Sequence, residues 1–352
     1  LKVWKFALFA AVAMTIPYVA VALILGPEFP ALLGGLIGLG VVTFAAQKGF
    51  LMPEETWDFG PRSTWGADWM GNVDPERETA HDGRPEMGIV RAWVPYLLVA
   101  LVLVLTRIPS LGLQARLAGV RWEWPTIFGT PITGALQPLY LPGFVFLLVI
   151  GATYFIHAMK RDEIKQSWRV AGGQIAGAAV ALLFALPLVR VFINSGDGFN
   201  TSGLASMPIT LAEGAASLAG NAWPLFAPWI GALGAFIAGS NTVSNLTFSL
   251  FQFATAQRID AIPEVVVAVQ AVGGAAGNMI TVHNVVAAAA TVGLMGKEGI
   301  LLRQTVFPMV YYLLLTGSLA FIWVNGVGLN AGTITLAVLA MVLAATIVKI
   351  RA

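Results

Sequence analysis

Long apolar runs separated by short polar segments dominate this sequence. Seven of these runs have roughly the 17–25 residues that a helix needs to cross a bilayer. They lie near residues 6–25, 31–46, 92–108, 140–158, 174–193, 304–324 and 332–349. The runs lack the alternation of apolar and polar residues that is typical of a strand in an outer-membrane barrel. The pattern therefore predicts an all-α integral membrane protein, a polytopic helical bundle.

Two polar, glycine-rich interruptions occur inside the apolar sequence, at residues 239–245 and 273–284. At membrane depth, the backbone can leave the helical pattern only where protein or a water-filled cavity satisfies its freed N–H and C=O groups. In transporters such breaks mark substrate and ion sites. The two interruptions therefore predict a transporter in which both breaks meet at one site.

Composition narrows the class of protein further. The chain is 57% hydrophobic and only 11% charged, whereas a soluble domain carries about a quarter charged residues. It has no cysteine, which excludes disulfides, thiolate metal ligands and cysteine nucleophiles. Its histidines form no metal-binding pattern, and no phosphate-binding glycine loop precedes a Lys-Ser/Thr pair. We therefore expect no cofactor, no metal, no ATP-driven transport and no nucleic-acid partner.

Basic residues indicate the orientation in the membrane, because cytoplasmic loops are rich in them. One short loop contains Lys160, Arg161, Lys165 and Arg169. Counting spans from that loop places both ends of this chain in the cytoplasm. A full crossing at 224–256 would put Lys297 and Arg303 on the opposite side from the loop. We therefore expect a re-entrant hairpin over 224–256, whose arms of about 22 Å are too short for a core of about 30 Å.

A polar segment divides the chain. Residues 47–91 carry nine acidic and five basic side chains and four prolines, and we interpret them as a cytoplasmic linker. Residues 1–46 would then form the end of a first transporter half, with two membrane helices. Residues 92–352 would form the second half, with the hairpin and a broken helix over 263–295. The sequence begins at Leu1, with neither an initiator methionine nor a signal-peptide pattern. We therefore expect an N-terminal truncation.

The first interruption carries hydroxyl and amide side chains suited to binding a substrate. They are Ser240, Asn241, Thr242, Ser244 and Asn245. Such residues are good N-caps, so a helix over 243–257 would point its N-terminus into the membrane interior. Its unpaired N–H groups and positive dipole end suit a carboxylate. The alternative is an ordinary capped turn outside the membrane.

The second interruption gives Gly277 and Asn278 the same anion-binding geometry, with a helix over 279–295 following. The alternative is helix packing, since glycines also permit close contact. His283 and Asn284 follow shortly after the break. Because histidine titrates near neutral pH, His283 is a candidate proton carrier, with Asn284 beside it. The alternative for His283 is a neutral, hydrogen-bonded packing role.

Arg190 lies near the outer end of a span, where it either reaches the membrane surface or provides a cationic anchor for the substrate.

Two other classes of protein stay open. Ser240 and His283 would be the nucleophilic pair of an intramembrane hydrolase, although no acidic residue lies nearby in sequence to orient the histidine. A membrane scaffold would leave the polar clustering unexplained. We expect a transporter and not an enzyme.

Four stretches resemble the lactate permease family: Gly239–Gln252, Gly273–Glu298, Gly26–Pro30 and Arg91–Pro95. The resemblance covers nearly the whole chain, and the linker is least alike. It implies import of L-lactate and related 2-hydroxy monocarboxylates, such as D-lactate and glycolate, across the cell membrane by proton symport. Sodium coupling is a close variant. The implied partners are the small-molecule substrate, the coupling proton or sodium ion, and the lipid bilayer.

The chain is also similar to the wider ion-transporter superfamily, whose inverted repeats each pair a re-entrant hairpin with a broken helix. By this resemblance the second repeat is complete here and the first is partial. The sequence lacks the family's Glu-Gly-Ala-Ala-Gly-Phe-Gly-like motif and the first-half helices expected upstream. Some members carry Asp where Asn241 stands and a different pair where His283-Asn284 stands, which bears on the identity of the proton carrier.

Overall fold

The computed structural model describes residues 3–27, 29–54, 60–66, 87–196, 198–291, 294 and 296–351. It is 77% helical, which confirms the predicted all-α class. Its α-helices are α1 (Trp4–Leu25), α2 (Gly35–Gln47), α3 (Ile89–Arg107), α4 (Leu113–Gly119), α5 (Pro142–Ile156), α6 (Arg161–Ile193), α7 (Met207–Ala219), α8 (Trp223–Ala238), α9 (Asn241–Arg258), α10 (Pro263–Gly277), α11 (Val282–Thr291), α12 (Glu298–Asn325) and α13 (Ala331–Arg351). Much of the predicted linker lies outside the described residues.

Six described helical segments are long and apolar enough to cross a membrane. They are Trp4–Leu25, Pro30–Gln47, Ile89–Arg107, Met207–Ala238, Glu298–Asn325 and Ala331–Lys349. The bent pair α10 and α11 would make a seventh span. Helix α5 is apolar but shorter, and the predicted run 174–193 lies within α6, several of whose side chains lie outside the described part. These segments confirm a multi-pass membrane protein.

The chain divides into two compact units by its internal contacts. They comprise residues 1–60 with 81–170, and residues 61–80 with 171–352. In the first unit, α1 and α2 pack closely, since a Cβ on Gly38 of α2 would lie 3.0 Å from the Cα of Met14 on α1. Arg107 links the end of α3 to Tyr140, two residues before α5; its guanidinium carbon lies 3.6 Å from the ring centre of Tyr140. The same guanidinium donates to the Tyr140 carbonyl at 2.7 Å.

A small antiparallel hairpin lies between α3 and α5. Strand β1 (Trp122–Trp124) pairs with β2 (Gly134–Leu136), and Trp122 lies opposite Leu136. The apolar pattern predicts no strand here. Strands of three residues are too short to produce a detectable alternation of apolar and polar residues. The hairpin is a small addition to a fold that is otherwise helical, as predicted.

Helices α8, α9 and α10 form the centre of the second unit. Helices α8 and α10 lie backbone against backbone, because a Cβ on Gly231 would lie 2.1 Å from the carbonyl oxygen of Gln270. A Cβ on Gly273 would lie 1.9 Å from the carbonyl oxygen of Pro228. Small residues allow membrane helices to approach this closely. The glycines of the second interruption therefore serve helix packing, which was the alternative interpretation.

The helix break lies within the predicted interruption at 273–284. Helix α10 continues through the glycines to Gly277. A 3-10 turn then covers Asn278–Ile280, and Thr281 is extended, with φ −70° and ψ 119°. Helix α11 begins at Val282 and is bent by 49° from the preceding helix. The glycine contacts with α8 lie in the part of the interruption that stays helical, and the second helix begins at residue 282 instead of the predicted residue 279.

The predicted hairpin corresponds to α8 and α9, of 16 and 18 residues. Helix α9 begins at Asn241, slightly earlier than the predicted Val243. Helix α8 also continues α7 across a 3-10 turn at Gly220–Ala222, and together they form a run of 32 residues over Met207–Ala238. The pair of helices is therefore present, and its re-entrant course in the membrane stays a prediction.

Candidate functional site

Gly239 and Ser240 form the tip between α8 and α9. Gly239 ends α8 in the left-handed conformation, with φ +75°, which glycine adopts without steric strain. Ser240 is extended, and its Oγ accepts a hydrogen bond from the N–H of Val243 at 3.4 Å. Ser240 is therefore the N-cap of α9, whereas the predicted start at Val243 would place the cap at Thr242, and the first N–H groups of α9 open at this tip.

Two side chains of the second interruption reach α8 and the tip. The buried hydroxyl of Thr281 lies 3.3 Å from the carbonyl oxygen of Ala235 and 3.1 Å from that of Gly277, between which it shares its proton. His283 Nε2 lies 2.9 Å from the carbonyl oxygen of Gly239. Because a carbonyl only accepts, Nε2 carries a hydrogen and donates it. The two interruptions therefore meet in the folded protein.

Three asparagines of the two interruptions have buried side-chain oxygens without a partner. The Oδ1 atoms of Asn241, Asn245 and Asn278 meet no hydrogen-bond donor among the described residues. Asn241 and Asn245 lie one turn apart on α9, and Asn278 opens the 3-10 turn of the break. Buried polar groups are almost always paired. Three unpaired amides in these segments therefore indicate a place for a polar ligand, an ion or water.

Asn241 lies against α10. An ideal Cβ on Gly274 would lie 2.0 Å from Asn241 Oδ1, so the absence of a side chain at this glycine makes room for the amide. Asn278 follows four residues later, about one turn along the chain, directly after the end of α10. The pair of helices thus brings amides from both interruptions to the same end of the α9–α10 contact.

Ser244 and Gly277 have packing roles. Ser244 is fully buried; its Oγ donates to the carbonyl oxygen of Gly231 at 2.8 Å and accepts from Gln270 Nε2 at 3.1 Å. A Cβ on Gly277 would lie 2.4 Å from the carbonyl oxygen of Ala232, so this glycine belongs to the α8–α10 contact. The substrate site that we propose below therefore does not use these two residues.

The remaining candidates are exposed. Thr242, His283 and Asn284 are exposed residues of the two interruptions. Arg190 is also exposed, near the end of α6, and no hydrogen bond or ion pair joins its guanidinium to the tip in the part of the chain that the structure describes. Its role as a substrate anchor stays a prediction.

Sequence reasoning missed three polar residues of this region: Trp223, Gln252 and Gln270. Gln252 and Gln270 are 0% exposed, and Trp223 is 7% exposed. For Gln270 the sequence did contain a signal, because it is the only uncharged polar residue in the sequence of α10. A single amide in an apolar helix requires a partner, since burial without one is costly.

Comparison with known proteins identifies the family. The family model of the L-lactate permeases matches residues 1–326. The chain belongs to the L-lactate permease family. The curated members that it matches are named permeases, that is, transporters. No solved structure is significantly similar to the chain.

Individual relatives are distant but match over most of this chain. A putative L-lactate permease of Haemophilus influenzae is 28% identical over 84% of this chain and 54% of its own length. The L-lactate permease of Escherichia coli K12 is 26% identical over 83% of this chain and 53% of its own length. The glycolate permease of the same organism is 27% identical over 62% of this chain and 40% of its own length. The chain thus spans about half the length of the L-lactate permeases that it matches.

Proposed function

We propose that this chain supplies the second half, and the end of the first half, of a secondary active transporter that imports L-lactate, D-lactate and glycolate across the cell membrane by proton symport. The three buried, unpaired side-chain oxygens of the asparagines in the two interruptions are the main structural support, together with membership of the L-lactate permease family. The proposal includes a re-entrant hairpin over 224–256, a complete second inverted repeat, and both ends of the chain in the cytoplasm.

The chemistry of a 2-hydroxy carboxylate suits these groups. Its carboxylate only accepts hydrogen bonds, whereas its hydroxyl can donate one. In the proposed site, the carboxylate lies at the N-terminus of α9, where the first-turn N–H groups, the Ser240 hydroxyl and the exposed Thr242 hydroxyl can donate. The Asn278 amide adds a further donor through Nδ2. The substrate hydroxyl donates to Oδ1 of Asn241 or Asn245, which removes an unpaired acceptor.

This arrangement predicts discrimination against acids that lack the hydroxyl. Propionate has the size and charge of lactate but leaves the amide oxygen of the site unpaired. An unpaired buried acceptor costs about 1–3 kcal/mol, which lowers the affinity. Because 1 kcal/mol corresponds to roughly fivefold, we expect propionate to compete with labelled lactate at least about fivefold less well than unlabelled lactate or glycolate does.

His283 is the proposed proton carrier. Its Nε2 is committed to the Gly239 carbonyl, so an incoming proton would bind at Nδ1. The imidazolium would then attract the substrate carboxylate at the tip, because opposite charges attract. Proton and anion would each bind more tightly in the presence of the other, which favours their transport together. Asn284, the next residue, is exposed beside it.

Sodium coupling is the second candidate, because unpaired amide oxygens are also suitable ligands for a hard cation. An intramembrane hydrolase is a less supported candidate. The Ser240 hydroxyl accepts from the Val243 N–H and His283 donates to the Gly239 carbonyl, so both side chains are hydrogen-bonded to the backbone and not to each other. Uptake of labelled lactate into vesicles with an imposed pH gradient or an imposed sodium gradient separates the first two. Release of alcohol from a lactyl ester by the purified protein would support the third.

The site assignment is tested in the full-length protein by Asn241→Ala and Asn278→Ala. We expect each change to lower uptake of labelled lactate at least tenfold. The matched control is Asn194→Ala, since Asn194 follows the end of α6 and its amide donates to the Arg190 carbonyl four residues earlier. If both site variants transport lactate as well as this control does, the proposed site is wrong.

A further inference from the structure

Four buried side chains connect α8, α9 and α10 in one hydrogen-bonded series, which we name the buried polar chain: Trp223, Gln252, Gln270 and Ser244. Trp223 Nε1 donates to Gln252 Oε1 at 2.7 Å. Gln252 Nε2 donates to Gln270 Oε1 at 2.9 Å and to the Ala227 carbonyl at 3.2 Å. Gln270 Nε2 then donates to Ser244 Oγ at 3.1 Å, and Ser244 donates to a carbonyl of α8.

The buried polar chain has only one possible direction. The indole N–H of Trp223 can only donate, and the Gly231 carbonyl at the other end can only accept. Reversing either glutamine amide would place donor against donor or acceptor against acceptor. The amide orientations are therefore determined by the two ends of the series. A fully satisfied buried network favours one arrangement of its helices, because any displaced arrangement leaves unpaired groups.

The buried polar chain is adjacent to the candidate site but separate from it. Ser244 lies one turn beyond Asn241 on α9, and Gln270 lies one turn before Gly274 on α10, against which the Asn241 amide packs. Gln252, Gln270 and Ser244 are 0% exposed, so they are not placed to touch a substrate. Sliding α9 by one residue would move it by about 1.5 Å, enough to break the Ser244–Gln270 hydrogen bond.

We propose that the buried polar chain is a positioning device: it sets the register of α9 against α8 and α10, and thereby the placement of the Asn241 and Asn245 amides relative to Asn278. Its members are positioning residues for the substrate site. This inference rests on the proposed function only for its transport measurements, because the register of α9 against α10 can be measured without substrate.

The transport test uses Ser244→Ala and Gln270→Met in the full-length protein. With the register loosened, we expect the KM for lactate to rise about tenfold and the preference for lactate over propionate to fall by a similar factor, at comparable amounts of folded protein. Ser244→Thr keeps the hydroxyl and should restore both values. The matched control is Thr255→Val, which removes a fully buried hydroxyl of the same helix whose partner is the Phe251 carbonyl of its own helix.

The register test uses a cysteine pair, since the chain has no native cysteine. With Asn241→Cys in place, the Cβ of Gly274→Cys loses its clash with the asparagine, and its next neighbour is the Gly231 carbonyl oxygen at an ordinary 3.5 Å. We expect this pair to oxidise readily to a disulfide, detected by mass spectrometry of the joined peptides. Adding Gln270→Met should slow its formation several-fold, whereas adding Thr255→Val should not.

The outcomes separate the two proposals. If Gln270→Met slows cross-linking but no lactate uptake is found in the parent protein, the proposed function fails and the positioning role stands. If neither Ser244→Ala nor Gln270→Met changes cross-linking, KM or the lactate preference, the buried polar chain has no positioning role. The same conclusion follows if Thr255→Val reproduces their effects, because a general loss of packing would then explain the data.

Discussion

Replacing Gly274 with alanine should impair transport while leaving the protein folded. The new Cβ would lie 2.0 Å from Asn241 Oδ1, whereas real Cβ atoms rarely approach another atom within 3.0 Å. The amide must therefore retreat by about 1 Å, and a displacement of that size in a reacting or binding group can cost up to about 100-fold in rate. We expect the Vmax/KM for lactate uptake to fall about 10- to 100-fold.

Folding should tolerate this change because the displaced group is a side chain. The other group near the new methyl, the Gly231 carbonyl oxygen, lies at 3.5 Å, and alanine is favoured over glycine in a helix by up to about 1 kcal/mol. Gly273→Ala is the informative comparison. Its Cβ would lie 1.9 Å from the carbonyl oxygen and 2.5 Å from the Cα of Pro228, so it must separate two backbones, at a cost of about 1–3 kcal/mol or more.

The assay is labelled-lactate uptake over a range of concentrations, with thermal unfolding followed in detergent on the same preparations. Gly214→Ala serves as the control, since a Cβ at that helical glycine would meet nothing within 4 Å. Gly274→Ala should lose uptake at an unchanged unfolding temperature, and Gly273→Ala should lose both. Normal uptake in Gly274→Ala, or a lowered unfolding temperature that equals that of Gly273→Ala, would refute the reasoning.

Three further substitutions have distinct expected outcomes. His283→Gln keeps an amide that can donate to the Gly239 carbonyl but cannot be protonated, so uptake should lose its response to a pH gradient; a retained response would exclude His283 as the carrier. Ser240→Ala removes the N-cap of α9 and should lower the free energy of unfolding by about 1 kcal/mol, measured by denaturant titration. Glu213→Gln removes the ion pair with Arg258, which has an N–O distance of 2.8 Å and side chains 56% and 32% exposed. Because exposed ion pairs contribute at most about 1 kcal/mol, we expect near-normal stability and uptake, and a large loss of uptake would instead indicate a role in transport.

The membrane spans were predictable from the sequence because their signal is local. A run of some twenty apolar residues predicts a helix whatever surrounds it, and the described segments follow that pattern. A polar N-cap for α9 was predictable for the same reason, since it depends on residue type, although the helix begins two residues earlier than predicted. The exact break after Gly277 was not, because the preceding glycines are compatible both with a break and with helix packing. Only the contact with Pro228 and Gly231 on α8 decides between these uses.

The packing role of Ser244, which differs from the roles of its polar neighbours, also depends on tertiary contacts. All five polar residues of the first interruption have side chains suited to binding, and the sequence does not show which face of α9 turns toward α8. In the structure, α9 is rotated so that Ser244 is buried against Gly231 and Gln270. The same rotation leaves Asn241 and Asn245 with unpaired oxygens. Gln270 shows the reverse: its isolation among apolar residues predicts a partner but does not identify it.

The glycine contact between α8 and α10 constrains how a transporter of this design could expose its site to one side of the membrane and then the other. Two helices that touch through their main chains cannot slide past each other without first moving apart, and hydrogen bonds across α9 oppose that separation. The three helices would therefore travel as one rigid block. The substrate would be carried together with most of its binding groups, and the surfaces that open and close would lie at the outer faces of the block.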